Sequence, residues 1–133
     1  MQFMQQYAVY IFIALLIGWF LLQRVIGPKL SGVKSLSAAD YMQMRKKPHT
    51  LIDVRQKGEW KAMHATTAVH IPLGEISQRM HEIPKDKCVI VICASGARSS
   101  MAATAIANAG YSEVYNFSGG MGAWSAAGLP TIR

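Results

Sequence analysis

The chain has 133 residues, room for one domain of about 100 to 150 residues and not for two complete catalytic domains. Apolar residues make up 51% and charged residues only 16%, which excludes a disordered chain. Fourteen Lys and Arg against seven Asp and Glu leave a net charge of +7, but no aromatic-interleaved basic run accompanies it, so no nucleic-acid partner is expected.

The apolar excess lies at the N-terminal end. Met1 to Gln23 contains no Asp, Glu, Lys, Arg or His, and Tyr7 to Leu22 is unbroken apolar, aromatic and Gly sequence. As a helix, those first residues reach about 35 Å, enough to cross a hydrocarbon core of about 30 Å. Val25 and Ile26 extend the span if Arg24 snorkels to the headgroups, and Tyr7, Tyr10, Trp19 and Phe20 suit the interfaces. A cleaved signal peptide or a buried core helix would also be apolar. No basic residue precedes the run and no A-x-A site follows it, which favours a retained membrane anchor over 1–26, touching lipid through 7–26. Arg24, Lys29 and Lys34 lie on the C-terminal side only, so positive-inside bias puts the rest of the chain in the cytoplasm and the N-terminus outside.

Gly27-Pro28 is expected to stop the helix, leaving a juxtamembrane linker over 27–32 and a single domain over 33–133. That domain opens with Ser37-Ala-Ala-Asp40, a capping-box pattern predicting a helix through about Lys46. A strand follows at Thr50 to Val54. Val89 to Ile92 is a continuous β-branched run, the pattern of a central parallel strand covered on both faces. Ser99 to Ala109 reads as an Ala-rich helix with Gly110 at C′, Val114 to Phe117 as a strand, and Gly119-Gly120 precedes a short helix ending near Gly128-Leu-Pro130. This alternation predicts an α/β sandwich with a mainly parallel central sheet flanked by helices, preceded by one transmembrane helix. Ligand sites in such sheets lie beyond the carboxyl ends of the strands.

That rule points to Cys93-Ala94-Ser95-Gly96-Ala97-Arg98-Ser99, which joins the buried strand to the Ala-rich helix. A thiol placed there faces unpaired backbone N–H groups and the positive end of the helix dipole, and both favour the nucleophilic thiolate. Gly96 with the small Ala94, Ser95 and Ala97 lets the backbone curl around the sulfur, and Arg98 adds a fixed positive charge. The segment is an anion cradle around a nucleophile. Cys88, five residues upstream on the same strand, projects to the opposite face about 16 Å away, too far for a disulfide, and is expected in the core. The chain has no CxxC, and the four histidines, His49, His64, His70 and His81, show no metal-site spacing, so no metal is expected; no cofactor is expected either.

Several segments together resemble the rhodanese family in order and spacing. They are Leu51-Ile-Asp53-Val-Arg55, Gly58-Glu59-Trp60, His64, His70-Ile-Pro72-Leu, the Cys93 loop, and Gly119-Gly120 through Trp124 to Gly128-Leu-Pro130. The resemblance covers about Val33 to Arg133, and it implies a sulfurtransferase in which Cys93 carries a sulfane sulfur as a persulfide between donor and thiol or cyanide acceptor. A bacterial inner membrane is the implied location. Four residues separate Cys93 from Arg98, whereas related phosphatases have five, so the smaller ring suits sulfur better than phosphate. Many thiosulfate-using members carry Arg directly after the catalytic Cys. Ala94 stands there in this chain, which favours a persulfide donor over thiosulfate. Thr67-Ala68 replaces the family's Gly-Ala pair before the Ile-Pro turn.

Supporting roles follow for residues in and around the loop. Asp53 either orders the active loop through backbone N–H groups or caps the strand-end turn. Arg55 and Glu59, four apart, are expected to pair. His64 is either a proton donor or, as its position favours, a loop hydrogen-bonding group. Ser99, at the helix start, either caps or directs its hydroxyl at the sulfur. Trp124 is expected in the core, and Gly119-Gly120 to permit close backbone approach beside the loop. A membrane-tethered interaction module with the same fold is the competing function, with a membrane protein as its partner.

Overall fold

The computed structural model describes residues 2–30 and 32–133. Ser31, within the expected linker, and Met1 lie outside the described residues. The chain divides into two compact units, 1–30 and 31–133.

The first unit is one helix, α1 (Gln2–Leu30). From Phe3 to Leu22 its large apolar side chains are exposed, among them Phe12, Leu15, Trp19 and Phe20. Over Gln2–Arg24 it is long and apolar enough to be a membrane span or a signal sequence. The expected stop at Gly27-Pro28 is corrected, because the helix continues to Leu30. Proline's fixed φ is helical, and its missing N–H removes a single hydrogen bond in the last turn.

The second unit is built on a parallel sheet. Its five strands are β1 (Lys34–Leu36), β2 (His49–Asp53), β4 (Val69–His70), β5 (Cys88–Ile92) and β6 (Val114–Phe117). They run in the order β1-β6-β5-β2-β4, every pair parallel. β3 (His64–Ala65) pairs antiparallel with the C-terminal β7 (Thr131–Ile132) in a separate ribbon. The connecting helices are α2 (Ala38–Met44), α3 (Lys57–Ala62), α4 (Ile76–Arg79), α5 (Ala97–Asn108) and α6 (Gly120–Ala126).

Local chemistry accounts for the boundaries. Asp40 N–H donates to Ser37 Oγ at 3.1 Å and Ser37 N–H to the Asp40 carboxylate at 3.4 Å, the capping box that starts α2. This helix ends at Met44 instead of Lys46, since Pro48 biases Lys47 away from helical geometry. β2 begins one residue earlier than Thr50. α5 starts at Ala97, two residues ahead of the expected Ser99, because Gly96 at φ 102° turns the chain into the helix. Its C-cap is Ala109, with Gly110 at φ 101° following as expected.

All five residues of β5 are buried, as a strand covered on both faces must be. Val89 and Val91 face a cluster with Ala102, Ala103 and Ile106 of α5, and Cys93 joins that side. Ile90 and Ile92 face Tyr41, Phe117 and Trp124, and Cys88 joins that opposite side. The two cysteines therefore belong to different faces of the sheet, both as free thiols. Trp124 is buried, its indole N–H donating to the Pro130 carbonyl.

Candidate active site

The segment 93–99 crosses the carboxyl end of the sheet between β5, its central strand, and α5. Cys93 and Ser99 are buried, while Ala94, Ser95 and Ala97 between them are exposed. The loop thus arches over the sulfur with its small side chains outward and its backbone turned in. Gly96 N–H donates to Cys93 Sγ at 2.9 Å. The left-handed φ of Gly96 aims that amide at the sulfur, a conformation costly for any residue with a Cβ.

Ser99 Oγ lies 3.2 Å from Cys93 Sγ, so of the two roles open to this hydroxyl the structure selects the sulfur-directed one, with Gly96 occupying the N-cap. The same hydroxyl donates to Asn116 Oδ1 at 2.5 Å, and Asn116 Nδ2 donates to the Gly96 carbonyl at 3.1 Å. Asn116, near the carboxyl end of β6, thereby closes a ring of contacts around the loop. It was not singled out from sequence. A polar side chain inside the run Val114-Tyr-Asn-Phe117 at a strand's carboxyl end is the signal that marks it.

Burial alone would raise the Cys93 pKa. Hydrogen bonds from the Ser99 hydroxyl and from the amides of Ser99, Ser95 and Gly96 outweigh it, and the net shift is downward. Cys88 has no such cradle, and burial pushes its thiol up to about 11. The two thiols are thus shifted in opposite directions by their surroundings.

A second loop supports the first. The α6 residue Gly120, at φ 57°, packs its Cα against the carbonyls of Cys93 and Ala94, where any Cβ would collide with backbone. Met121 N–H donates to the Cys93 carbonyl at 2.8 Å. The close approach expected of Gly119-Gly120 is realised at Gly120.

Arg98 leaves the ring outward. Its guanidinium donates to Glu59 of α3 at 2.6 and 2.9 Å. The expected Arg55–Glu59 pair is corrected by this contact. Glu59 serves Arg98, and Arg55 precedes α3, so helical four-residue spacing does not apply to it. Arg55 instead forms a buried pair with Asp53, Nη2 to Oδ2 at 2.7 Å, and donates to the Met63 carbonyl. Asp53 also accepts the Arg55 backbone N–H at 3.0 Å. It is the strand-end cap, and its hydrogen bonds go to Arg55 instead of the active loop. His64 Nδ1 bonds to the Trp60 carbonyl at 2.8 Å and its ring stacks on Trp60 at 3.5 Å, the loop role favoured over proton donation. His70 stacks on the same indole and its Nε2 donates to the Arg55 carbonyl. Among the described residues, no three His, Cys, Asp or Glu side chains converge as a metal site.

A parallel α/β sandwich that presents one cysteine to a ring of amides at the head of a helix defines a domain of the rhodanese class. Comparison with known proteins makes the assignment: residues 37–127 match the Rhodanese-like domain family, and the chain belongs to it. It is similar to a sulfurtransferase of Allochromatium vinosum, 40% identical over 82 residues, covering 62% of this chain and 77% of that protein. It is also similar to the thiosulfate sulfurtransferase GlpE of Vibrio cholerae, 36% identical over 95 residues, covering 71% and 89%. The crystal structure of a rhodanese-related protein from Thermoplasma volcanium superposes with a TM-score of 0.68 at 30% identity, covering 74% of this chain and 97% of that one. These relatives support a sulfurtransferase role for the domain.

Proposed function

We propose that the chain is a membrane-anchored sulfurtransferase in which Cys93 carries the transferred sulfur as a persulfide. The observation that carries this reading is the sulfur's own environment, with the Gly96 amide at 2.9 Å and the Ser99 hydroxyl at 3.2 Å. In the first half-reaction the Cys93 thiolate attacks the outer sulfur of a donor persulfide. A new S–S bond forms at Sγ, the donor's S–S bond breaks, and its electron pair leaves on the donor thiolate. In the second, an acceptor thiolate or cyanide attacks the outer sulfur, and the pair returns to Cys93. The inward amides of 95, 96 and 99 stabilise the negative sulfur that starts and ends the cycle.

Two features point to the donor. Four residues between Cys93 and Arg98 make a small ring, suited to a sulfur atom more than to a tetrahedral phosphate. Ala94 supplies no charge for thiosulfate, and Arg98 is engaged by Glu59, which supports a persulfide donor. The layout this reading implies is an anchor within 1–26, the last turn of α1 and a short connection over 27–32, and the sulfurtransferase domain from 33 onward. The basic Arg24, Lys29 and Lys34 favour a cytoplasmic domain, with sulfur delivered to acceptors near a bacterial inner membrane.

The test is turnover by the full chain in detergent, with thiocyanate release from cyanide as readout. A glutathione persulfide donor is expected to give faster turnover than thiosulfate at equal concentration, and Cys93→Ser is expected to abolish both. Turnover surviving Cys93→Ser would remove the proposed carrier. Retention of the cellular role and of membrane partners by Cys93→Ser would instead establish a tethered interaction module.

A further inference from the structure

The reading above gives Cys93 its nucleophilic role and leaves Asn116 without one. Asn116 touches no reacting atom, yet its amide is held at both ends. Its Nδ2 donates to the Gly96 carbonyl at 3.1 Å, which fixes the oxygen toward Ser99, and that oxygen accepts the Ser99 hydroxyl at 2.5 Å. A serine hydroxyl carries one proton. With that proton on Asn116, Ser99 faces Cys93 Sγ at 3.2 Å with lone pairs only, an arrangement that accepts from a thiol S–H and offers nothing to a thiolate. A thiolate and an amide oxygen are both acceptors, so the two sides of Ser99 compete for one proton.

We propose that Asn116 is a positioning residue that acts through Ser99, holding the hydroxyl proton away from the sulfur until Cys93 ionises. On ionisation the thiol proton leaves to water. Ser99 keeps its own proton and turns it from Asn116 Oδ1 to Sγ. When sulfur is taken up and the thiolate charge disappears, the proton turns back. Asn116 thereby opposes the amides of the loop and sets how much thiolate stands ready. The charged groups around the loop are Arg98 of α5, paired with Glu59 of α3, and Asp53 beyond it, paired with Arg55. Against the sulfur itself stand the Gly96 amide at 2.9 Å and the Ser99 hydroxyl at 3.2 Å, with the amides of Ser95 and Ser99 beside them.

The inference rests on Cys93 as the working thiol, but its test requires no sulfur transfer. The measurement is the pH dependence of Cys93 alkylation by iodoacetamide in the full chain in detergent, read by mass on the Cys93 peptide. Asn116→Ala removes the competitor, and the alkylation midpoint is expected to fall by about half to one pH unit, the shift one net hydrogen bond produces. Ser99→Ala removes the donor and is expected to raise the midpoint by a similar amount. The double variant is expected to match Ser99→Ala, because the other contact of Asn116 is to the Gly96 carbonyl, one peptide beyond the Gly96 amide that meets the sulfur. A midpoint unmoved in Asn116→Ala, or an equal shift with and without Ser99, would overturn the relay. Should Asn116→Ala fail to fold by circular dichroism, Asn116→Asp tests the same coupling with opposite sign. Its carboxylate holds the Ser99 proton harder, and the rise is expected to be larger with Ser99 present than in Ser99→Ala. Equal rises would contradict the proposal. A Cys93 that never forms a persulfide would defeat the functional reading and leave this titration unchanged.

Discussion

Arg98 donates from both terminal nitrogens to the two carboxylate oxygens of Glu59, tying the head of α5 to α3 across 39 residues of sequence. The bond to Arg98 is the main reason Glu59 titrates at about 2, well below its ordinary 4.5. Both side chains are about one-third exposed, so solvent screening holds the pair to about 0.5 kcal/mol. A depressed carboxylate contributes above its unfolded pKa and loses that contribution as pH falls through the folded one. Glu59→Gln is therefore expected to melt slightly lower than the parent at pH 7, with the gap closing between pH 4.5 and 2. Thermal unfolding across that window checks it, and a gap independent of pH would contradict the pairing.

Two glycines of α6 are expected to respond in opposite ways to alanine. At Gly120 the new Cβ would meet the Cys93 and Ala94 carbonyls at a positive φ, so Gly120→Ala is expected to cost about 2 kcal/mol or more and to displace the active loop. Gly122 has open space around its Cα, and Gly122→Ala is expected to stabilise by up to about 1 kcal/mol through helix propensity. Denaturant unfolding of the two variants, with turnover alongside, reads both.

Cys93 and Cys88 differ in environment, and alkylation at a single pH is expected to separate them. Near pH 8, iodoacetamide is expected to label Cys93 and leave Cys88, whose thiol titrates at about 11. Cys88→Ala is expected to preserve turnover. Peptide mapping after a short exposure decides the matter, and faster labelling of Cys88 would reverse the assignment.

Asp53 and Arg55 are both buried, and Asp53 accepts three of the four hydrogen bonds that Arg55 makes to it and to Met63 through its side chain. Removing one partner of such a pair strands the other charge. Asp53→Asn is expected to destabilise by about 3 kcal/mol, and urea unfolding measures it.

Most of the central architecture is legible in local sequence. Val89 to Ile92 announces a doubly covered strand, and the Cys93 loop is one continuous segment whose Gly96 and Ser99 meet the sulfur from their own positions, while Arg98 turns away to Glu59. What required the fold was contributed from a distance. Asn116 reaches Ser99 across 17 residues and Arg98 reaches Glu59 across 39, and neither separation has a local signature. The expected Arg55–Glu59 pair failed for a related reason. Arg55 lies before α3 begins, outside helical spacing, and a buried carboxylate two residues back takes its guanidinium. Pro28 falls in the last turn of α1, where proline removes only one hydrogen bond and does not break the helix.

The central claim is that Cys93 carries sulfur covalently, and intact mass measures this most directly. The full chain is incubated with a glutathione persulfide donor, weighed before and after, and digested to locate the adduct. The account predicts a gain of one sulfur atom on Cys93, discharged by cyanide or by reductant and absent in Cys93→Ser. An unmodified Cys93 in the presence of excess donor, with the domain folded, would contradict it.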